Sequence, residues 1–379
     1  MGAASKILAR IAREVGQPNL PRILVDELAP SDVTSLLLGV FEGRANRLEV
    51  PDLLSADRDL FQPSAIDQRV LHQFDALAFQ AAEEFEAVEL SPVCPLGIHH
   101  VLAQVHQNNV LTALRNSEIL ADPTVSQALE CVRRRRAFRS GRQIGQEVKL
   151  CGSHRLIRMQ PFDVPGFRPH FRLFSLVSAG RDTGSDAFET SALYSHLCVY
   201  LRLIRALECI GFRFERISVE ISDTEIVNRL VESAGLNLDE IRARVKAHAL
   251  GSAKELLRER GVIFPDSVED PEKELGNLAS KYPISIAMAR LQRVQEQVLK
   301  PLQLEFPHVE FRIDLSRLEG LSYYAGLCMK LSASNREGLR LPLADGGITN
   351  WTQRLLSDRK ERLLTSGIGT ESVCGQYRV

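Results

Sequence analysis

An α+β fold, a mainly antiparallel sheet with helices packed on it, is predicted by three features of this sequence. Alternating apolar and polar residues recur at 148–159, 171–178 and 216–221, as half-buried strands require, and 309–315 and 323–331 also read as strands. A hairpin, loops and single helices join these segments rather than a regular series of crossover helices, which favours antiparallel pairing. A block at 223–303 reads almost wholly as helix, so the strands are interrupted by a helical insertion.

Taken in chain order, residues 5–15 put Ile7, Leu8, Ile11 and Val15 on one helical face, with Ser5 as candidate N-cap. Residues 16–65 are rich in Pro and Asp and read as short helices, so 1–65 forms an N-terminal extension. Residues 67–87 form an amphipathic helix, 87–93 alternates as a strand, 96–107 is helical and 110–114 is strand-like. Asp122-Pro123-Thr124 sets a capping residue ahead of a proline and starts a helix running to about Arg136. The strands at 148–159 and 171–178 make a hairpin whose long loop carries Pro161, Pro165, Gly166 and Pro169. Gly180-Arg181-Asp182 then forms a turn. The helix at 186–210 stops at Gly211. Gly235, Gly261, the 265–271 stretch and Pro283 break the helical block. The end reads as a strand at 339–343, a turn at Asp345-Gly346-Gly347, a helix at 350–357 and a strand at 362–369. The organisation is therefore an extension at 1–65, a core at 66–222 and 309–379, and an insertion at 223–308.

Composition excludes several function classes. With 379 residues, 44% hydrophobic and 25% charged, the chain can bury a full core. A formal net charge of -1 argues against a dedicated polyanion binder, because phosphate affinity needs many unpaired Lys and Arg. No apolar run approaches the roughly 20 residues of a membrane span. Residues 1–16 lack the continuous apolar stretch of a secretory signal. Seven cysteines, odd in number and without CxxC, read as reduced thiols of a cytoplasmic protein. His99, His100 and His106 have no recognisable metal spacing, and His170 and His196 read as structural or surface residues. No P-loop, dinucleotide fingerprint, nucleophile elbow or HExxH occurs. Arg133, Arg134, Arg135 and Arg136, with Arg139 and Arg142, form the densest basic run: a solvated helix end on one reading, an RNA contact on the other.

Six segments, in order, resemble the catalytic core of class II aminoacyl-tRNA synthetases, and of histidyl-tRNA synthetase and its regulatory paralogue in particular. ILADPT (119–124) is similar to the family's LRaDxT element. VKLCGSHRLIRMQ (148–160) is similar to the motif 2 strand, and FRLFSLVSAG (171–180) to the return strand. IDLSRLEGLSYYAG (313–326) is similar to the histidine signature RGLDYYTG. Asp345-Gly346-Gly347 is similar to the start of GGRYD, and SGIGTES (366–372) to the motif 3 GxGxER. The resemblance spans roughly 70–372 and implies an antiparallel sheet of six or seven strands.

The resemblance also implies site residues. Arg158 stands where motif 2 holds an α-phosphate, Gln160 where a glutamate meets adenine, Phe171 where a ring stacks on adenine, and Arg168 in the loop that covers the triphosphate. Together they form a remnant nucleotide site for ATP with Mg. Asp122, Thr124, Tyr323 and Tyr324 keep their places in the amino-acid pocket. By the period of a strand, Phe171, Leu173, Ser175 and Val177 share the face that offers a Gln and a Glu to histidine, so Leu173 and Val177 replace polar partners. Glu319 stands where the family carries its catalytic arginine, Ser322 where it carries an aspartate, and Ser372 where motif 3 carries an arginine. Ile348, Thr349 and Asn350 replace the end of GGRYD. A carboxylate at 319 repels phosphate rather than holding it.

These losses predict a protein without catalytic residues: a regulatory or partner-binding subunit that senses an amino acid or related metabolite. The resemblance to the regulatory subunit of ATP phosphoribosyltransferase implies that enzyme's catalytic subunit as partner, a role in histidine biosynthesis, and a homodimer. Val379 follows closely on the motif 3 remnant, without a counterpart of the anticodon-binding domain, which also leans toward the regulatory paralogue. Two rival readings follow from the same residues. One is an enzyme that adenylates a carboxylate other than histidine through Arg158, Gln160, Arg168 and Phe171. The other is an RNA-binding protein using the arginine run.

Overall fold

The computed structural model describes residues 3–55, 59–141, 145–160, 168–246, 250–262 and 284–379. Arg142, Pro161, Pro165, Gly166, the 265–271 stretch and Pro283 lie outside them. The sheet grows from one hairpin. β5 (Val148–Ile157) and β6 (His170–Arg181) pair antiparallel over ten residues, from Val148↔Ala179 to Ile157↔His170. Residues alternate across β6: Phe174 and Leu176 enter one core, while Val177 and Ala179 enter a second core on the opposite face. Each such buried side chain contributes about 1.5–3 kcal/mol, which fixes the register, because a slip of one residue would exchange the faces.

Upstream, α1 (Ala3–Glu14), α2 (Pro30–Ala45) and α3 (Val50–Ser55) form the longer helices of the extension, with a short helical stretch over Leu20–Arg22 and Ile23–Glu27 between the first two. The predicted apolar face of α1 is present but unpartnered: Ile7, Leu8, Ile11 and Val15 are all exposed. α4 (Gln68–Ala81) starts at Asp67, whose carboxylate accepts from Arg69 N, and it buries Val70, Leu71, Phe74 and Ala78. The predicted strand at 87–93 is instead two pieces. β1 (Glu86–Ala87) pairs parallel with β5 at the sheet edge, and β2 (Val93–Pro95) joins a separate small sheet. That small sheet continues, after α5 (Ile98–Ala103), with β3 (Thr112–Ala113) and β4 (Ser117–Ile119), in the order β2-β4-β3. Then come α6 (Pro123–Ser140), the hairpin, and α7 (Ala187–Glu208), which lays fourteen buried residues along the main core.

β7 (Glu215–Asp223) leads into the helical block α8 (Thr224–Ser233), α9 (Leu238–Lys246), α10 (Leu250–Glu259), α11 (Ser285–Val294) and α12 (Lys300–Glu305). β8 (Glu310–Ile313), β9 (Leu327–Ser334), β10 (Arg340–Thr349), α13 (Trp351–Leu356), β11 (Glu361–Gly369) and α14 (Thr370–Gln376) complete the chain. Among the described residues the main sheet has eight strands, in the order β1-β5-β6-β11-β10-β9-β7-β8. Only its edges, β1 with β5 and β7 with β8, are parallel. The α+β architecture with a mainly antiparallel sheet and flanking helices is thus as predicted, with one more strand than the resemblance implies.

Two local expectations fail for a shared reason. Asp345-Gly346-Gly347 is not a turn but the middle of β10, with Asp345 opposite Lys330 of β9 and Gly367 of β11. The glycines serve close packing: a Cβ on Gly346 would lie 2.4 Å from Ser366 Cβ, and one on Gly347 2.7 Å from the Tyr324 ring. Likewise Gly180 and Arg181 continue β6 instead of turning, and a Cβ on Gly180 would meet the Phe188 ring at 2.5 Å.

Candidate functional site

The start of α6 organises the site. Asp122 is extended (φ -149°) and caps the helix, with Pro123 in the first turn. Its Oδ1 accepts from the Thr124 amide at 3.0 Å and from the Thr124 hydroxyl at 2.7 Å. Tyr323, from the turn before β9, donates its hydroxyl to Asp122 Oδ2 at 2.7 Å and lies 3.1 Å from Thr124 Oγ1. Burial, then the charge of Asp122, pushes the Tyr323 phenol well above its ordinary value, so it stays a donor. Its ring packs edge-on to Tyr324 and Trp351, with centroids 4.9 and 5.1 Å away.

Beneath Asp122 lies a buried pair the sequence did not reveal. His99 and Glu118 are both fully buried. His99 Nδ1 meets Glu118 Oε1 at 2.6 Å, and its Nε2 accepts from the amides of Ala121 and Asp122, each at 3.1 Å. Glu118 also accepts from the amides of Gly97 and His99 and from Gln107. Burial alone would raise its pKa, but these hydrogen bonds outweigh it and hold the carboxyl below its ordinary value. Cys94, His99 and Glu118 cluster closely enough to suggest a metal. Both imidazole nitrogens and both carboxylate oxygens are already engaged, and burial pushes the Cys94 thiol up to about 12. The cluster therefore reads as a support for residues 121–122 rather than a metal site.

Two clefts meet at Arg158. The first, of about 480 Å³, is lined by Asp122, Thr124, Leu173, Tyr323, Tyr324 and Asp345 among others, and by Arg158. Gly367 leaves room for Leu173, since a Cβ there would lie 2.7 Å from its methyl group. The second, of about 340 Å³, is lined by Arg158, Arg168, Phe171, Glu371, Ser372 and Ile66 among others. Arg158 donates from Nε to Ala121 O at 2.9 Å, and its guanidinium lies 5.2 Å from the Phe171 ring centroid.

Several groups of the second cleft are engaged by the protein itself. Arg168 donates one hydrogen bond to Pro63 O at 2.7 Å, which ties it to the end of the extension. His170 reaches Gln62 O at 2.6 Å and Arg155 at 2.8 Å. Glu371, the carboxylate among the described lining residues, is held by Arg155 at 2.6 Å. Ser372 stands in the wall, and Arg158 and Arg168 are the cations among the described lining residues.

The predicted site residues divide accordingly. Asp122, Thr124, Arg158, Leu173, Tyr323 and Tyr324 come together at the first cleft, and Arg158, Arg168 and Phe171 at the second. Gln160 lines neither. Val177 does not reach the cleft: it is fully buried in the core formed with α6, beside Ser175, whose hydroxyl donates to Gln127 Oε1. Glu319 is turned aside to Lys330, 3.7 Å away. Sequence reasoning missed Arg317, two residues earlier. It is buried, donates to Asp345 Oδ1 at 2.7 Å, and stands 5.7 Å from the Tyr324 ring centroid. No spacing rule marks it, because its partner lies on β10. The basic run is divided: Arg133, Arg136 and Arg139 stay exposed, while Arg134 is half-buried and Arg135 is buried. Arg135 is fully buried against Glu361, Arg134 holds Glu86 and Glu130, Arg136 donates to Leu355 O, and Arg139 donates to Leu356 O.

Comparisons with known proteins agree with this geometry. Residues 189–351 match the family model of histidyl-tRNA synthetase. The sequence has no significant match among curated proteins. Among solved structures, an ATP phosphoribosyltransferase regulatory subunit/histidyl-tRNA synthetase from Bacillus halodurans C is similar with TM-score 0.63 and 13% identity. That match covers 86% of this chain and 84% of the other. A histidyl-tRNA synthetase from Nostoc sp. PCC 7120 gives TM-score 0.62 and 16% identity over 84% of this chain and 74% of the other. A histidine–tRNA ligase subunit from Alicyclobacillus acidocaldarius gives TM-score 0.60 and 15% identity over 84% and 96%. None of the described helices is long and apolar enough to cross a membrane. The chain therefore has a class II synthetase-like fold, with residues 189–351 resembling histidyl-tRNA synthetase.

Proposed function

We propose that this protein is a non-catalytic paralogue of histidyl-tRNA synthetase that binds a small amino-acid-like metabolite in the first cleft and acts through a protein partner. The observation carrying this reading is an imbalance between the two clefts. The Asp122–Thr124–Tyr323 hydrogen-bonded frame is intact beside the first, whereas Arg168 is tied to the extension and Ser372 stands in the wall of the second. Asp122 Oδ2 accepts one hydrogen bond and keeps a lone pair for a ligand ammonium. Arg158, which also lines this cleft, offers a guanidinium to a carboxylate. Leu173 gives the pocket an apolar side where the family binds a polar ring. The ligand is thus a zwitterion with a less polar side chain than histidine.

Calorimetric titration with the standard amino acids tests this. At least one compact apolar or weakly polar amino acid binds, and Asp122→Asn weakens it at least tenfold. Binding of ATP alone, with no response to any amino acid, would overturn the reading. The regulatory-subunit neighbour from Bacillus halodurans C supports a catalytic subunit of ATP phosphoribosyltransferase as partner, tested by co-elution of the two purified chains. A homodimer follows by analogy with class II cores. The adenylating alternative draws on one observation, the place of Arg158 at the junction of both clefts. The RNA-binding alternative is weakened by the burial of Arg135 against Glu361 and the pairing of Arg134 with Glu86 and Glu130.

A further inference from the structure

The extension displays its apolar side chains rather than burying them. Between residues 6 and 53, twelve large apolar side chains are more than a third exposed, and Ala12 alone is buried among the described residues. On α1 the exposed set is the stripe Ile7, Leu8, Ile11 and Val15, spaced as one helical face. On α2 it includes Leu36, Val40 and Phe41. The ion pairs Arg10–Glu14 and Arg22–Glu27 stay within the extension, while the core holds its end through Arg168 to Pro63 O and His170 to Gln62 O. A helix as short as α1 is marginal alone in water, where about 12–15 residues is the lower limit, so its stability calls for something that covers the stripe.

Size and charge both point to what covers it. With each side chain about half exposed, the apolar surface is on the order of 1,000 Å², beyond the roughly 300–600 Å² of the largest patch on a typical monomer and close to the roughly 800 Å² that each partner of a stable dimer buries. α1 carries Lys6, Arg10 and Arg13 against Glu14, whereas residues 16–55 carry six acidic and three basic residues. The two parts of the extension are therefore opposite in charge. Such parts are self-complementary across a two-fold axis: α1 of one copy meets α2 and α3 of the other, and the same contact forms twice. The acidic part disfavours an anionic lipid surface, which takes basic amphipathic helices.

We propose that the extension is an association surface for a second copy of this chain, with α1 of each copy laid against α2 and α3 of the other. The apolar stripes make the centre of the contact, and the charged residues make its rim. α1, α2 and α3 line neither cleft. This surface therefore stands independently of the ligand reading and of any contact between the cores.

The test is sedimentation of the full chain over a range of concentrations at low ionic strength, with folding followed by circular dichroism. The parent self-associates. Ile7→Glu with Ile11→Glu, both at exposed positions, raises the concentration for half-dissociation at least tenfold without unfolding the core. Lys6→Glu, Arg10→Glu and Arg13→Glu together weaken association in the same way, as do Asp32→Lys, Glu42→Lys and Glu49→Lys together. An equimolar mixture of these two charge-reversed proteins recovers it. A parent that stays monomeric would overturn the proposal, and its binding to anionic vesicles would reassign the extension to a membrane surface. Association unchanged in Ile7→Glu with Ile11→Glu would place the contact between the cores and overturn the proposal as well. A mixture that recovers nothing would refute the pairing of α1 with α2 and α3.

Discussion

Replacing Arg135 separates a structural from an RNA-binding role for the arginine run. Arg135 and Glu361 are both fully buried and paired through two hydrogen bonds of 2.9 and 3.0 Å, and Arg135 also donates to Gln146 O. Arg135→Met leaves the Glu361 carboxylate in the interior with Arg181, 3.6 Å away, as its remaining cation. Loss of one partner of a buried pair costs about 3–5 kcal/mol. Partial compensation by Arg181 sets the expected loss near the low end, about 3 kcal/mol. Arg135→Met with Glu361→Leu removes both charges and is expected to recover most of that loss, ending within about 1 kcal/mol of the parent. Urea unfolding of the parent, both single variants and the double variant measures the cycle. A coupling energy below about 1 kcal/mol would refute the structural assignment. So would an Arg135→Met variant of unchanged stability that loses salt-dependent tRNA retention.

Further outcomes follow from other buried groups. Burial, then the charge of Lys149, drops His196 to about 3, while an unfolded histidine titrates near about 6.5. Between these values the unfolded chain binds a proton that the folded chain refuses, so this residue makes stability fall as pH falls. The slope approaches about 1.4 kcal/mol per pH unit well below 6.5. His196→Asn is expected to remove that part of the slope between pH 5 and 6.5, and an unchanged slope would contradict the assignment. Six cysteines are buried and Cys209 alone is exposed, so a thiol reagent on the folded protein modifies one residue, and Cys209→Ser eliminates that reaction. Gly347→Ala drives a methyl group into Tyr324, Cys328 and a backbone carbonyl, each within 2.8 Å. It is expected to destabilise by about 1–3 kcal/mol and to disturb the tyrosine fluorescence of the site.

Much of the fold is legible because its signals are local. The Asp122 cap, the proline beside it and the hairpin strands depend on residues within a few positions of one another. The glycines of β10 mislead because their requirement comes from Ser366 and Tyr324, whereas a glycine pair in sequence resembles a turn. The stretch at 87–93 alternates like one strand, yet its ends are claimed by β5 and β4 in different sheets. The resemblance named Asp122, Thr124, Arg158, Leu173 and both tyrosines, which line one cleft. It gave no access to partnerships made across the fold. Glu118 and His99 lie 19 residues apart, Arg317 and Asp345 28, and Arg135 and Glu361 226. The fate of Glu319 shows the same limit. The substitution was visible, but its pairing with Lys330 and the nearby Arg317 were not.

The central claim is that the frame for an amino-acid ligand persists while the means of activating it with ATP does not. Pyrophosphate exchange with each standard amino acid, run on the same preparation that is titrated for binding, tests it most directly. The expected result is exchange at background for every amino acid, including any that binds. Robust exchange with even one would contradict the account and assign Arg158 a catalytic role.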